Sequence, residues 1–582
     1  MNSNSRNLAA VTSPLSVAVV GSGGAGAITT GTLLLEAAAR QGHYGILTRT
    51  VGPQIRGGEA AALVRLGPRP IDCTGDSFDI LLAMDWNNFD RLAAEIPLSP
   101  GSLIIADPEQ GDVPAVVRDT GASICNLPIG ELAKAVNKGR PNMLAFGIIV
   151  ELLDLQTTSV GAVLEKQLAK KGEQALQSSL ETVKAGRAAA STLDKRTLPD
   201  QVAYKGDRWL ITGNHACGYG ALRGGIRFVA AYPITPATEV LEWLSTGLMQ
   251  TGGRLVQAED ELASINMIVG ASYGGIPALT ATAGPGLSLM VESLGLAVAA
   301  EIPLVVIDVM RVGPSTGIAT KAEQSDLNIA VYGFHGDAPH VVAAPNSVGD
   351  CVATTQWAVQ LAEAMQAPVI VLTDQYMGQT KSIIDRPALS KAGAERLVCD
   401  NPAPDYARYA NTVSGISPMT IPGAHGGQYT ADGLEHSVKG IPSTRAEDHE
   451  QQMEKRRRKI HDFDYGDRWA DVEGTGRHAI LTWGSTTGAV REALEQLRRA
   501  GVEDIKLISL RLIAPAQPEK FAAAIAGIDR IMVIEQNHSG QLRHFLRAHY
   551  DLPKDIAFYN RAGPILFRPG EISDRIRQWR SV

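Results

Sequence analysis

Cysteine is scarce in this chain. Five thiols, Cys73, Cys125, Cys217, Cys351 and Cys399, are scattered over 582 residues, and no two form a CxxC pair. That excludes a disulfide scaffold, which would be out of place at this size and spacing. It also excludes a complete cubane iron–sulfur site, which takes four thiolates, usually partly clustered. Any such cluster must sit on another chain. Aromatic residues make up only 5%, whereas glycine reaches 59 residues; together they favour α/β domains joined by glycine turns over a β-sandwich. No excess of positive charge is present: the formal net charge is −7 and the pI ≈ 6.0. Non-specific nucleic-acid binding is therefore not its role. Long apolar runs are absent as well. The opening "MNSNSRNLAAVTSPLS" lacks the apolar core of a secretory signal. The run "LGLAVAAEIPLVVIDVM" is broken by Glu301, Pro303 and Asp308, so it reads as a buried helix and then a strand, not a membrane span. The expected location is the cytoplasm, with no membrane contact.

What is present is alternation. Roughly one domain per 150 residues suggests three or four domains, and strand-like runs such as "ALTATA", "PLVVIDV" and "PVIVLTD" alternate with helical stretches. That pattern belongs to the α/β class, with helices packed on largely parallel sheets. We expect a first domain over 14–192, closed by one long helical pattern from Val160 to Ala190, and a polar linker over 193–209. A second domain follows over 210–395 and an irregular excursion or interface arm over 396–475. A small α/β domain over 476–582 ends the chain. The basic run Lys455–Lys459 ("KRRRK") follows "EDHEQQME" and is expected to be a solvated helical face with compensating acids.

Two motifs carry chemistry. "GSGGAG" sets Gly21, Gly23 and Gly26 in a G-x-G-x-x-G pattern between a strand and a helix, where bare backbone can approach a phosphate. A dinucleotide site also needs an acid at the end of the second strand. Here that strand, "YGILTRTVGPQIRGGEA", ends in Thr and Arg, and Glu59 comes too late. A nicotinamide-dependent dehydrogenase is thus disfavoured; a structural strand–helix turn, or a site for another phosphate-bearing ligand, remain open, with Arg56 a candidate for an anion. The second motif is "YPITPATE" over 232–239. Pro233 and Pro236 fix their own φ and push Tyr232 and Thr235 out of the α region. Thr235 then reads as the N-cap of a helix with Pro236 in its first turn, or as a hydroxyl held rigidly for a ligand.

The G-x-G-G-x-G start followed by "RGGE" resembles the gamma domain of 2-oxoacid:ferredoxin oxidoreductases over Val17 to Ala190, and "YPITPATE" resembles the signature of that family's alpha subunit. The resemblance covers essentially the whole chain and is most like the 2-oxoglutarate enzymes. It implies a gamma-type domain, a pyrimidine-binding domain of the thiamine-diphosphate fold and a transketolase C-terminal-like domain. In "QAEDELASINMIVGASYGGIPALTATAGPG" it assigns Glu261, rather than Glu259 or Asp260, to N1′ of the thiamine pyrimidine, beside Pro233 and Ile234. In "RVGPSTGIATKAEQSDL" it assigns Arg311, Ser315, Thr316 and Thr320, with Thr235, to the substrate, and Gln324 and Asp326 to support of the loop; Ala319 stands where the family commonly has proline. Gly23, Gly24 and Arg56 become candidates for contact with coenzyme A. Glu535 and Asn537 of the last domain are expected in scaffold and interface. The G-D-G motif that anchors diphosphate and Mg²⁺ in thiamine enzymes, with its downstream asparagine pair, is missing, and no metal ligand set is expected on this chain. The resemblance therefore implies a beta subunit that carries the diphosphate, Mg²⁺ and a 4Fe–4S cluster, assembled as a dimer of heterodimers with ferredoxin as acceptor. The implied substrate is 2-oxoglutarate; pyruvate and branched-chain 2-oxoacids are the alternatives.

Overall fold

The structure is a computed structural model that describes residues 13–52, 58–200, 206–388, 393 and 395–581. The amino-terminal stretch read for a signal lies largely outside these residues, and Arg56 lies outside them too. The chain divides into two compact units: residues 1–211 with 380–386 and 568–571, and the remainder.

The first unit is built on an eight-stranded sheet in the order Ser123–Asn126, Leu103–Ala106, Ile80–Ala83, Leu15–Ser22, Glu59–Gly67, Tyr44–Val51, Lys381–Asp385 and Arg208–Thr212. The first four of these run parallel, and the next are antiparallel. Two segments cross the boundaries drawn from sequence: 208–212 and 381–385 both join this sheet. Strand Leu15–Ser22 is flanked by the antiparallel Glu59–Gly67 rather than by the strand that follows the first helix. The βαβ pairing of a dinucleotide-binding fold is therefore not formed. The expected long helix at 160–190 is two helices, Thr157–Leu168 and Glu173–Ala190. Gly172, at φ 85°, makes the break, in a backbone region that costs glycine nothing.

The second unit holds a seven-stranded sheet, ordered Leu512–Ala514, Val341–Ala343, Pro368–Asp374, Leu304–Met310, Ala278–Thr282, Phe228–Ala231 and Arg254–Gln257. All but the first are parallel. Its strands are nearly continuous runs of β-branched and aliphatic residues, as expected for a sheet covered on both faces. A five-stranded sheet from 470–560 completes the unit. The two sheets are riveted by Gln324, which is fully buried. Its Nε2 donates to the Trp483 carbonyl, and its Oε1 accepts from Thr486 Oγ1 and the Gln536 amide.

The segment 400–445 is irregular, and the helix Ala446–His461 follows it. Here the solvated basic face is not what forms. Lys455, Arg456 and Lys459 are buried. Lys455 Nζ donates to both Glu301 oxygens at 2.5 and 2.7 Å, Lys459 Nζ to Glu301 Oε2 at 2.9 Å, and Arg456 to Glu435 at 2.6 Å. Only the face carrying Arg457, paired with Glu454, meets solvent as expected. The acids nearby in sequence do not take the lysines; a distant one, at the end of another helix, does.

Candidate active site

Parallel strands deliver their following loops to one edge, where α/β proteins place ligands. At the carboxyl edge of the seven-stranded sheet, Phe228–Ala231 runs into the Tyr232–Ala237 turn, Arg254–Gln257 into Glu261, Ala278–Thr282 into Gly284, and Leu304–Met310 into Arg311. These motifs are far apart in sequence, and the sheet brings them to the same rim.

Thr235 does not cap a helix. Residues 235–237 form a turn, and the helix starts at Thr238 with Ala237 as its uncapped N-cap. Thr235 is exposed, and its carbonyl accepts from Arg311 Nη1 at 2.6 Å. Pro236 lies behind it, its carbonyl held by Asn214 Nδ2 at 3.0 Å. Pro233 and Ile234 are half-buried. The proline-framed turn is thus fixed from beneath by two side-chain donors, and its hydroxyl is left on the surface.

Arg311 is buried at 7% exposure, and its Nε–H has no hydrogen-bond partner among the described residues. Burial lowers its affinity for its proton, partly offset by Asp326. A buried guanidinium with an unused donor is suited to a bidentate anion. The loop beyond it doubles back: Ile318 N donates to the Val312 carbonyl at 2.9 Å and Val312 N to Lys321 at 3.0 Å. Gly317, at φ 51°, lies so close to the Val312 carbonyl that any side chain would overlap it. This loop exposes Ser315 and Thr316 and leaves Thr320 half-buried. Neither Ser315 nor Thr316 bonds to Thr235 or Arg311.

The three adjacent acids divide by environment. Glu259 is exposed, and Asp260 caps the helix Glu261–Tyr273 by accepting from the Ala263 amide at 2.7 Å. Glu261 is buried at 7% exposure, and no hydrogen bond engages its carboxylate among the described residues. It packs on the first turn of the helix Gly284–Ala299: a Cβ on Gly286 would lie 2.7 Å from Glu261 Cγ and Oε1 and would overlap Thr282 Oγ1. Glycine at 286 is what leaves the carboxylate room. The residue is mostly covered while its carboxylate has no donor among the described residues, so a protonatable ring nitrogen can take that place. The residues here therefore fit a thiamine pyrimidine.

One feature was missed from the sequence, and another, Asp326, was expected only to support the loop. Asp308, in the middle of the apolar "LVVIDVM", and Asp326 both have buried carboxyl oxygens without partners at this rim. The signal was legible for Asp308, since an acid inside a fully buried strand needs a reason. Glu535 and Asn537 serve the scaffold: Glu535 accepts from the Leu542 and Arg543 amides, and Asn537 donates to the Gln324 carbonyl.

In the first unit, the Gly23 amide is spent on the Gly58 carbonyl at 2.6 Å, and Ser22 is held by Asp85. Gly24, at φ 101°, faces open space. Beside it is a cavity of about 520 Å³ lined by Gly24, Gly26, Arg140, Asn142 and Lys171.

The family described as pyruvate flavodoxin/ferredoxin oxidoreductase, thiamine diP-binding, matches residues 219–455, and that described as pyruvate ferredoxin/flavodoxin oxidoreductase matches 16–189. The structure of the 2-oxoglutarate:ferredoxin oxidoreductase from Magnetococcus marinus, solved with 2-oxoglutarate, coenzyme A and succinyl-CoA bound, is similar with a TM-score of 0.91. Its identity is 37%, over 97% of this chain and 99% of that one. The 2-oxoacid:ferredoxin oxidoreductase 2 subunit alpha of Aeropyrum pernix is 32% identical over 78% of this chain and 75% of its own. The 2-oxoglutarate synthase subunit KorA of Methanothermobacter marburgensis is 32% identical over 64% of this chain and 98% of its own. Three further alpha subunits are matched over 55–56% of their length. With residues 16–189 and 219–455 matched by these two family models and the relatives above 32–37% identical, the protein belongs to the 2-oxoacid:ferredoxin oxidoreductases, as an alpha subunit with a gamma-type domain at its amino end.

Proposed function

We propose that this chain is the alpha subunit of a 2-oxoglutarate:ferredoxin oxidoreductase. The reaction is 2-oxoglutarate + CoA + two oxidised ferredoxins = succinyl-CoA + CO₂ + two reduced ferredoxins + H⁺, in either direction. The observation that carries this reading is the largely buried Glu261, whose carboxylate has no donor among the described residues, on the same sheet edge as Arg311 with its unpartnered Nε–H. The bound ligands of the Magnetococcus marinus enzyme support the choice of 2-oxoglutarate.

Thiamine diphosphate, when bound, supplies the nucleophilic carbon that adds to the keto carbon and lets CO₂ leave. The chain's own residues do the rest on this side. Glu261 holds a proton against the pyrimidine N1′ and so sets the tautomer needed for proton removal. Arg311 holds the 2-oxoacid carboxylate, and Thr235, with Pro233 and Ile234 as a stiff wall, orients it. Ser315, Thr316 and Thr320 line the approach. A beta subunit carries the diphosphate, Mg²⁺ and the 4Fe–4S cluster. Exposed apolar side chains beside Glu261, namely Leu262 (49% exposed), Met267 (41%) and Leu289 (49%), are the surface it covers. In the gamma-type domain, Gly24 with Arg140 and Lys171 takes the phosphates of CoA; Gly23 contributes turn geometry, because its amide is already engaged.

The test is kinetic. The chain, co-purified with its partner, is assayed with 2-oxoglutarate, pyruvate and a branched 2-oxoacid, following ferredoxin reduction. 2-Oxoglutarate should give the highest kcat/KM, and Glu261→Gln should lower kcat at least about 100-fold with the fold intact. A preference for pyruvate refutes the substrate; a fully active Glu261→Gln refutes the site.

A further inference from the structure

Asn214 is fully buried in the first turn of the helix Gly213–Gly224, which the Thr212 hydroxyl caps. Its Nδ2 donates to the Pro236 carbonyl at 3.0 Å. Its Oδ1 is buried and accepts nothing among the described residues. For stability, asparagine and leucine come out nearly even at such a position: one leaves its own Oδ1 unpaired, the other the Pro236 carbonyl. What asparagine adds is a fixed donor to the turn. The amide has no room to swing away. A Cβ on Gly378 would lie 2.6 Å from Asn214 Oδ1, and one on Gly213 would overlap the Met377 carbonyl. Bare backbone thus packs the helix start onto Met377 and Gly378. The Met377 amide is itself anchored on Asp374 Oδ1 at 2.8 Å, at the end of the strand Pro368–Asp374.

Thr235 precedes Pro236 in the same turn, and its carbonyl is where Arg311 Nη1 rests, at 2.6 Å. The Nε–H of that guanidinium is left over. A shift of the turn therefore carries the anchor of Arg311 with it. We propose that Asn214 is a positioning residue for the 2-oxoacid: by fixing the Pro236 carbonyl it fixes the Thr235 carbonyl, and so aims the Arg311 guanidinium at the carboxylate next to the keto carbon. The inference rests on the 2-oxoacid reading above. Every 2-oxoacid carries that carboxylate, so Asn214 sets affinity and not the choice among substrates.

The experiment measures KM and kcat of the complex with its partner subunit, on 2-oxoglutarate and on the next-best 2-oxoacid. Asn214→Leu keeps the volume and removes the donor. It should raise KM about tenfold on both substrates with kcat within about threefold, the mark of lost uniform binding. In an Arg311→Ala background the same change should alter KM less than about twofold, because its effect passes through that guanidinium. Asn214→Asp keeps the shape, and its buried carboxyl donates only while protonated. Its KM should match that of the unmodified complex at the acid end of the range and climb above it as pH rises. An unchanged KM in Asn214→Leu, an equal rise in the Arg311→Ala background, or a rise confined to one substrate overturns the inference and leaves the proposed reaction standing. Should Asn214→Leu fail to assemble, an Asn214→Asp complex whose KM follows the unmodified one at every pH overturns it in the same way. An unmodified complex without activity on any 2-oxoacid overturns both.

Discussion

Replacing Glu301 by glutamine should be among the most damaging single changes outside the active site. Glu301 is fully buried and faces Lys455 and Lys459, with Arg408 donating to its backbone carbonyl. Burial opposes its charge, yet Lys459, Lys455 and Arg408 hold its carboxyl far below the usual range. The glutamine keeps the volume and leaves two buried ammonium groups without a counter-ion. Breaking a buried pair in this way costs about 3–5 kcal/mol. For a unit of roughly 360 residues, unfolding entropy of about 2.1 cal/mol/K per residue turns that into a Tm loss of about 4–7 °C. The loss carries a pH signature. Burial, and then Lys455, bring Lys459 down to about 7, although Glu301 resists. It is a base whose folded value lies below its unfolded value of about 10.4, so between those limits the unfolded chain binds more protons and stability rises with pH. At pH 9 Lys459 is mostly neutral already, and only Lys455 is stranded by the substitution; at pH 6 both are. Thermal unfolding of Glu301→Gln should therefore show a larger deficit at pH 6 than at pH 9, and Glu301→Gln combined with Lys459→Met should recover part of it. An unchanged Tm, or a deficit that grows with pH, refutes the reasoning.

Gly286→Ala should separate activity from folding. Its Cβ would press on Glu261 at 2.7 Å, and a displacement near 1 Å can cost about 100-fold in rate, against an overpacking loss of about 1–3 kcal/mol in thermal unfolding. Gln324→Leu should act on stability first. It strands the Trp483 carbonyl, the Gln536 amide and the Thr486 hydroxyl, each worth about 1–3 kcal/mol when left unpaired, and the midpoint of urea unfolding reads the sum. In the single variant Lys459→Met, the rise of Tm with pH between 7 and 9 should be shallower than in the unmodified protein, because the group that produces it is gone.

Periodicity and turn chemistry are local, and they carried the alternating α/β organisation and the positions of the rim motifs. Pairing is not local. Nothing in "DRWLIT" or "KSIID" says that these strands complete the sheet of the first unit, because the partner edge is set by tertiary contacts. The charge run at 455–459 misled for the same reason: its neighbours in sequence are acids, but its partner is Glu301, whose isolation at the end of an apolar helix was the available clue. Thr235 was misplaced by one turn, since Pro at a first helical position and Pro inside a preceding turn leave the same pattern. At the rim, Glu261 is buried while Glu259 and Asp260 are exposed, a difference that three adjacent acids do not show in sequence.

One helix and one strand tie the two charged centres together. The helix Gly284–Ala299 begins against Glu261 and Asp326 and ends two residues before Glu301; the strand Leu304–Met310 begins just past Glu301 and ends at Arg311. At the Glu301 end, the carboxylate meets two ammonium groups, and the Arg408 donor takes the backbone carbonyl. At the Arg311 end a guanidinium nitrogen and three carboxyl oxygens of Asp308 and Asp326 are buried with no partner among the described residues. Buried polar groups are ordinarily satisfied, so the contrast along a single layer has a physical meaning. The closed end holds the layer in place, and in the function proposed above the open end is one half of a site whose missing donors and acceptors would come from substrate, cofactor and a second subunit docked on Leu262, Met267 and Leu289.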